Sequence, residues 1–228
     1  MIKGIISLLF MLLMVVTFVV GVVFTVARSV FSMALNPDTR AWRNLLDKLR
    51  ARLQKVAVNK LVPWDGDMAS LLSLNRVDVK KPGWFDGIQE GVFTTIYHEP
   101  VLAYAGQMSG KNGVLLARTS DREFIFRMKG QETEIWINQQ PFGVFVNGTL
   151  LAAGRGSRVL ARLEASAAES QFPVLLSDNK TAATITNPER SSMPNPRALS
   201  LLRPLSPEEE STVLALMVLK ATSAVPQK

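Results

Sequence analysis

The chain has 228 residues, 47% of them hydrophobic, with one histidine, no cysteine and a formal net charge of +7 at pH 7. That is room for one tether and one domain of ordinary size. Without cysteine there are no disulfides, thiol nucleophiles or thiolate metal centres, and a single histidine rules out a histidine-rich metal site.

Residues 5–27 are a 23-residue run without a charged side chain, interrupted only by Ser7, Thr17, Gly21 and Thr25. A helix hides such hydroxyls by bonding them to its own carbonyls. At about 1.5 Å per residue the run reaches roughly 34 Å, enough to cross a hydrocarbon core of about 30 Å. A cleaved signal has an apolar core of only about 7–15 residues and a small-residue cleavage site. This run is longer and ends poorly for cleavage, at Phe24-Thr25-Val26-Ala27-Arg28. A buried core helix of this length would carry a polar face. The expectation is a single transmembrane anchor over 1–28.

Charge is divided unevenly. Residues 1–64 hold nine of the 26 basic residues and two of the 19 acidic ones, and so the whole net charge; residues 65–228 hold 17 of each. Basic residues crowding one membrane boundary suit the positive-inside rule and anionic headgroups, and argue against nucleic acid as a partner. Arg28, Arg40, Arg43 and Lys48 follow the run, whereas only Lys3 and the amino group precede it. The expected topology puts the N-terminus outside a cell (inner) membrane and the main domain in the cytoplasm.

Asn36-Pro37-Asp38 offers an N-cap, a first-turn proline and an acidic first turn. Trp42, Leu45, Leu46, Leu49, Leu53 and Val56 then fall on one helical stripe, with Arg43, Asp47, Arg50 and Gln54 off it. This predicts an amphipathic basic helix of about 20 residues within 29–62, ended by Pro63. Its stripe has three readings, in order: packing on the domain or a partner subunit, lying in the membrane interface, or a short coiled coil.

From about Trp64 the texture becomes β. Residues 113–119, 123–128, 133–138, 142–146, 149–153, 158–164, 172–176 and 181–186 read as strands, with Asn147-Gly148 a hairpin turn. Glu134, Trp136 and Asn138 alternate with Ile135 and Ile137, so one face there is expected to be wet. Ser206-Pro207-Glu208-Glu209 is a capping box opening a helix over 207–222 that is apolar all round over Val213 to Leu219. Such a helix needs an enclosing sheet. It is too short to be a second membrane span. Residues 63–228 are therefore expected to form a mainly-β (α+β) domain, a closed antiparallel β-barrel around the C-terminal apolar helix.

Three stretches carry a resemblance: Phe142-Gly143-Val144-Phe145-Val146-Asn147-Gly148, Pro173-Val174-Leu175 with its turn at Asp178-Asn179-Lys180, and Leu205-Ser206-Pro207-Glu208-Glu209-Glu210 leading into Val213. Over about 65–225 the pattern resembles the tubby/phospholipid-scramblase/LURP-one-related superfamily. The resemblance implies a closed barrel threaded by a C-terminal helix, and a role in binding or moving phospholipid headgroups. The cysteine clusters and acidic calcium segment of the scramblases have no counterpart here, and their anchor is often C-terminal.

No nucleophile elbow, phosphate loop, zincin motif or EF-hand is present. His98, beside Glu99-Pro100, reads as a loop residue, since a histidine base needs an orienting partner. Asp65, Asp67 and Asp86 read as turn carboxylates, and no metal or cofactor is expected. Gly154-Arg155-Gly156-Ser157-Arg158 is either an anion cradle for a lipid phosphate or a flexible loop with two solvated arginines. Asn147-Gly-Thr149 and Asn179-Lys-Thr181 fit a glycosylation sequon but read as turns. The candidate anion contacts are Arg155, Arg158, Arg43 and Arg50. The first functional reading is a non-catalytic membrane-anchored interaction module, an accessory or scaffolding subunit whose partners are anionic lipids and other membrane-protein subunits. The second is a phospholipid-headgroup-binding protein, and the third an enzyme.

Overall fold

The computed structural model describes residues 10–19, 35–55, 60–65, 67–80, 87–154, 156, 158–164, 170–191 and 194–223. The chain divides into two compact units, 1–45 and 46–228.

In the first unit, residues 10–19 are helical (α1). All nine of its large apolar side chains are between 51% and 73% exposed. The Thr17 hydroxyl donates to the carbonyls of Leu13 and Met14, at 2.9 Å each, so the helix does absorb its own hydroxyl. Residues 5–9 and 20–27 of the expected anchor lie outside the described residues, and no described helix is long and apolar enough to cross a membrane. A second helix, α2 (Arg40–Leu53), is shorter than predicted and starts later. The Asn36 side chain accepts the Asp38 N–H at 3.3 Å, as in a turn, whereas the Thr39 hydroxyl accepts the Trp42 N–H at 3.2 Å and caps the helix. Trp42 and Leu45 are buried.

The second unit is an antiparallel sheet of twelve strands: β1 (Leu72–Lys80), β2 (Ile88–Thr95), β3 (Pro100–Ser109), β4 (Asn112–Arg118), β5 (Glu123–Lys129), β6 (Glu132–Ile137), β7 (Gln140–Val146), β8 (Thr149–Ala152), β9 (Val159–Leu163), β10 (Gln171–Leu176), β11 (Thr181–Thr186) and β12 (Leu199–Leu201). Each strand pairs with the next in chain order. The first and last ends meet at a short seam, which makes the sheet a nearly closed barrel. There Ser73 and Arg197 form an isolated bridge, the Ala198 N–H donates to the Leu72 carbonyl at 2.7 Å, and the Leu74 N–H donates to that of Pro196 at 3.0 Å. A one-turn helix, α3 (Met68–Leu71), leads directly into β1 and buries Met68 and Ala69.

Asn147 and Gly148 have φ of +48° and +77°, the pair of left-handed positions that the hairpin from β7 to β8 needs. On β6, Thr133 and Ile135 are buried while Glu134 and Trp136 are half-buried, so the expected alternation is present as far as Trp136; Ile137, expected inside, is half-buried. Four strands escape the sequence pattern: β1, β2, β3 and β12. Burial runs unbroken from Gly91 to Thr95 and from Val101 to Gly106. Strands covered on both faces do not alternate.

The inner cover is α4 (Pro207–Ser223). Its eight consecutive residues Thr212 to Leu219 are all buried. At about 100° per residue they pass more than twice around the axis, so every side of the helix meets the barrel's inner face, where Phe93, Tyr104, Phe124 and Phe126 sit in the same core. Each such apolar side chain contributes about 1.5–3 kcal/mol. Ser206 and Glu209 exchange hydrogen bonds at 3.4 and 2.8 Å, completing the expected capping box. The Thr212 and Thr222 hydroxyls donate to carbonyls of their own helix, at 2.8 and 2.6 Å.

The outer cover is the second half of α2. Leu46, Leu49 and Leu53 are buried, and so are Val92, Ala103, Ala105, Val114, Leu116 and Ile125, which alternate with the inward side chains of β2–β5. Arg50 and Arg52 tie this part of the helix to Glu123 on β5 and Glu90 on β2.

Candidate functional site

The residues singled out from the sequence meet different fates. Leu46, Leu49 and Leu53 are 7%, 0% and 4% exposed, so within the described chain they face protein; Val56 lies outside the described residues. Arg43 is exposed, off the leucine stripe. Arg50 makes a two-pronged contact: its Nε donates to Glu123 Oε2 at 3.2 Å and its Nη2 to Oε1 at 2.7 Å. Glu123 holds the Arg50 guanidinium above its ordinary pKa, chiefly through these hydrogen bonds, against the opposing effect of burial. Arg158 donates to Glu208 at the start of α4, at 2.6 Å. Arg155 lies outside the described residues. Arg50 and Arg158 therefore have carboxylate partners of their own.

Beside the C-terminal end of α2 lies a pocket of about 140 Å³ that the sequence did not announce. Arg52, Leu53 and Lys55 line one side; Asp78 and Lys80 of β1, Glu90 to Val92 of β2 and Tyr104 of β3 line the rest. Glu90 is its centre: Lys80 Nζ sits 2.8 Å from Oε1, and Arg52 Nη1 lies 3.9 Å from Oε2. Two geometric details shape the pocket. Asp78 has φ +51°, inside the irregularity between Val77 and Lys80 that bends β1. Gly91 pairs with Tyr104, and a Cβ on it would lie 2.8 Å from the tyrosine hydroxyl, so only glycine lets the ring lie there. Arg52 and Lys80 thus both close on the single carboxylate of Glu90. Chemically the arrangement is a lock between α2, β1 and β2.

A second charged cluster surrounds the first turn of α4. Glu208 pairs with Arg158, Glu209 with Arg203 at 2.7 Å, and Glu210 with Arg122 at 2.9 Å. The Trp64 indole N–H also donates to Glu210, at 2.6 Å. The Arg203 hydrogen bonds, then the Ser206 N–H, hold the Glu209 carboxyl down at a pKa of about 2. Three successive carboxylates at a helix N-terminus favour the helix dipole, and their three arginines come from three separate segments of the barrel.

The remaining candidates are turn residues. His98 has φ +66° in the β2–β3 turn and is exposed, its N–H donating to Thr95. Asp65 Oδ1 accepts the N–H groups of Asp67 and Met68, at 3.1 and 3.0 Å. Asp86 lies outside the described residues. Among the described residues no group of three or more His, Asp or Glu side chains is placed to hold a metal ion. Comparison with known protein families finds no match, and neither does comparison with curated proteins or with solved structures.

Proposed function

We propose that this chain is a membrane-anchored, non-catalytic interaction module, an accessory or scaffolding subunit of a larger membrane protein complex. The observation that carries the reading is α1. Nine large apolar side chains stand more than half exposed on ten residues of helix. In water that exposure costs roughly 10 kcal/mol, comparable to the whole stability of a typical domain. In hydrocarbon it costs nothing. The charge-free run of 5–27 around α1, and a net charge confined to 1–64, support an anchor with its basic side at the cytoplasmic surface. The filled barrel supports a scaffold: α4 occupies the interior, so a partner meets the outside of the domain.

The cysteine-free sequence makes the test direct. Single-cysteine variants Ile2→Cys and Lys111→Cys are exposed, in intact cells, to a maleimide that does not cross membranes. Ile2→Cys is expected to label at once and Lys111→Cys only after permeabilisation. Release of the chain by an alkaline wash would remove the membrane reading, and reversed labelling the orientation. Extraction in mild detergent is expected to bring a partner with it; elution as a lone monomer counts against the subunit role.

The second reading, a phospholipid-headgroup-binding protein of tubby/scramblase-like type, is supported by the architecture itself, a barrel filled by a C-terminal helix. The Arg158–Glu208 pair weakens one of its anion contacts. Equal flotation of the chain on neutral and anionic vesicles would remove it.

A further inference from the structure

We propose that the outer face of β10–β12 carries a binding site for a phosphate monoester. A cavity of about 700 Å³ lies there, within the range of roughly 300–1,000 Å³ typical of ligand sites. Its floor is the cross-strand pair Gln171 and Thr186, with Ser200 beside them; Ser170, Arg190 and Arg197 stand around it. No carboxylate lines it among the described residues, although residues 65–228 hold as many acidic as basic side chains.

The contrast with the rest of the domain is chemical. Arg50, Arg122, Arg127, Arg158 and Arg203 each lie within ion-pair distance of a carboxylate. The Arg197 guanidinium makes no hydrogen bond or ion pair among the described residues, and faces the cavity. The hydroxyls of Ser170, Thr186 and Ser200 and the amide of Gln171 likewise have no protein partner there. A carboxylate offers two oxygens to such a set. A phosphate monoester offers three, carries nearly two charges, and matches a guanidinium fork with hydroxyl donors around it. The remaining volume takes the alcohol half of the ester.

The wall is held still where it matters. Arg197 stands on the barrel seam, bridged to Ser73, with Ala198 bonded to Leu72. Two residues earlier, the Asn195 side chain accepts from Ser73 at 2.6 Å and Asn75 at 2.9 Å and donates to the Ile96 carbonyl at 2.8 Å. Closing the barrel therefore fixes the backbone from which the exposed Arg197 side chain extends, which removes part of the ordering cost of binding. The site goes beyond the interaction-module reading, which requires no ligand on this face.

The ester could be soluble or the terminal phosphate of a lipid, and the test separates them. The full chain in nonionic detergent is titrated calorimetrically with glycerol 3-phosphate, with glycerol and acetate as controls. In parallel it is reconstituted into phosphatidylcholine vesicles with and without phosphatidic acid, and its thermal midpoint is read. Saturable binding of glycerol 3-phosphate, absent for both controls, is expected for a soluble ester. A phosphatidic-acid-dependent rise in midpoint, without soluble binding, is expected for a lipid. In either arm Arg197→Gln weakens the effect about tenfold or more, and Lys129→Gln, at an exposed cation on β5 away from the cavity, leaves it unchanged. The combination Thr186→Ala/Ser200→Ala repeats the loss without touching the seam. No response to either ligand up to about 10 mM, an equal response to acetate, or full binding by both the Arg197 and the Thr186/Ser200 variants would overturn the proposal. None of these outcomes depends on whether the chain keeps a protein partner.

Discussion

Replacing Asn195 by alanine tests whether the seam is a true closure or two sheet edges lying near each other. The side chain makes three hydrogen bonds, to Ser73, Asn75 and the Ile96 carbonyl. Ser73 is fully buried, and its hydroxyl has a weaker alternative at the Pro196 carbonyl, 3.2 Å away. At about 0.5–1.5 kcal/mol net for each bond, and allowing for water reaching the part-buried amides, Asn195→Ala should cost about 2–3 kcal/mol. For a chain of this size that corresponds to a fall in thermal midpoint of roughly 4–12 °C. Urea unfolding of the full chain in nonionic detergent, followed through the fluorescence of its four tryptophans, measures it. Ser73→Ala in the same background closes a double-mutant cycle, with an expected coupling of about 0.5–1.5 kcal/mol. A loss below about 0.5 kcal/mol, or strict additivity of the two substitutions, would show that the seam does not hold the barrel shut.

Two further outcomes follow from α4. Leu216 is fully buried, so Leu216→Ala should cost about 2–5 kcal/mol by the same unfolding assay, while Leu202→Ala, at 59% exposed, should stay within about 0.5 kcal/mol. Glu209 governs acid behaviour: its folded pKa of about 2 lies below the ordinary 4.5, so the stabilisation from its charged form is complete above 4.5 and is lost as pH falls from there through 2. Urea midpoints taken at neutral pH and in that acid window should draw together in Glu209→Gln, and an unchanged pH dependence would count against the Arg203 contact as its cause.

How much of this was legible in the sequence depends on distance along the chain. The α4 capping box is a four-residue pattern, and the Asn147-Gly148 turn a two-residue one; both stand where the sequence put them. The strands from β4 to β11 alternate or are bounded by turn residues, and were readable for that reason. Strands β2 and β3 were not, because Ala103, Ala105 and Gly106 are small residues covered on both faces, and the covering helix gives no sign of itself in their sequence. The seam was invisible altogether: Ser73 and Asn195 stand 122 positions apart, and nothing near either announces the other. The same holds for Arg50, whose carboxylate partner Glu123 stands 73 positions on.

The order of pairing has a consequence for how the protein is made. Because every strand pairs with its predecessor, the sheet can grow one hairpin at a time as the chain leaves the ribosome. Neither the residues that shut it nor the helix that fills it arrive until after position 194. A nascent chain halted before that point carries an open, curved sheet whose apolar lining has nothing to cover it, the kind of surface that chaperones hold and proteases clear. Residues 195–223 must therefore be made before the barrel can shut and fill.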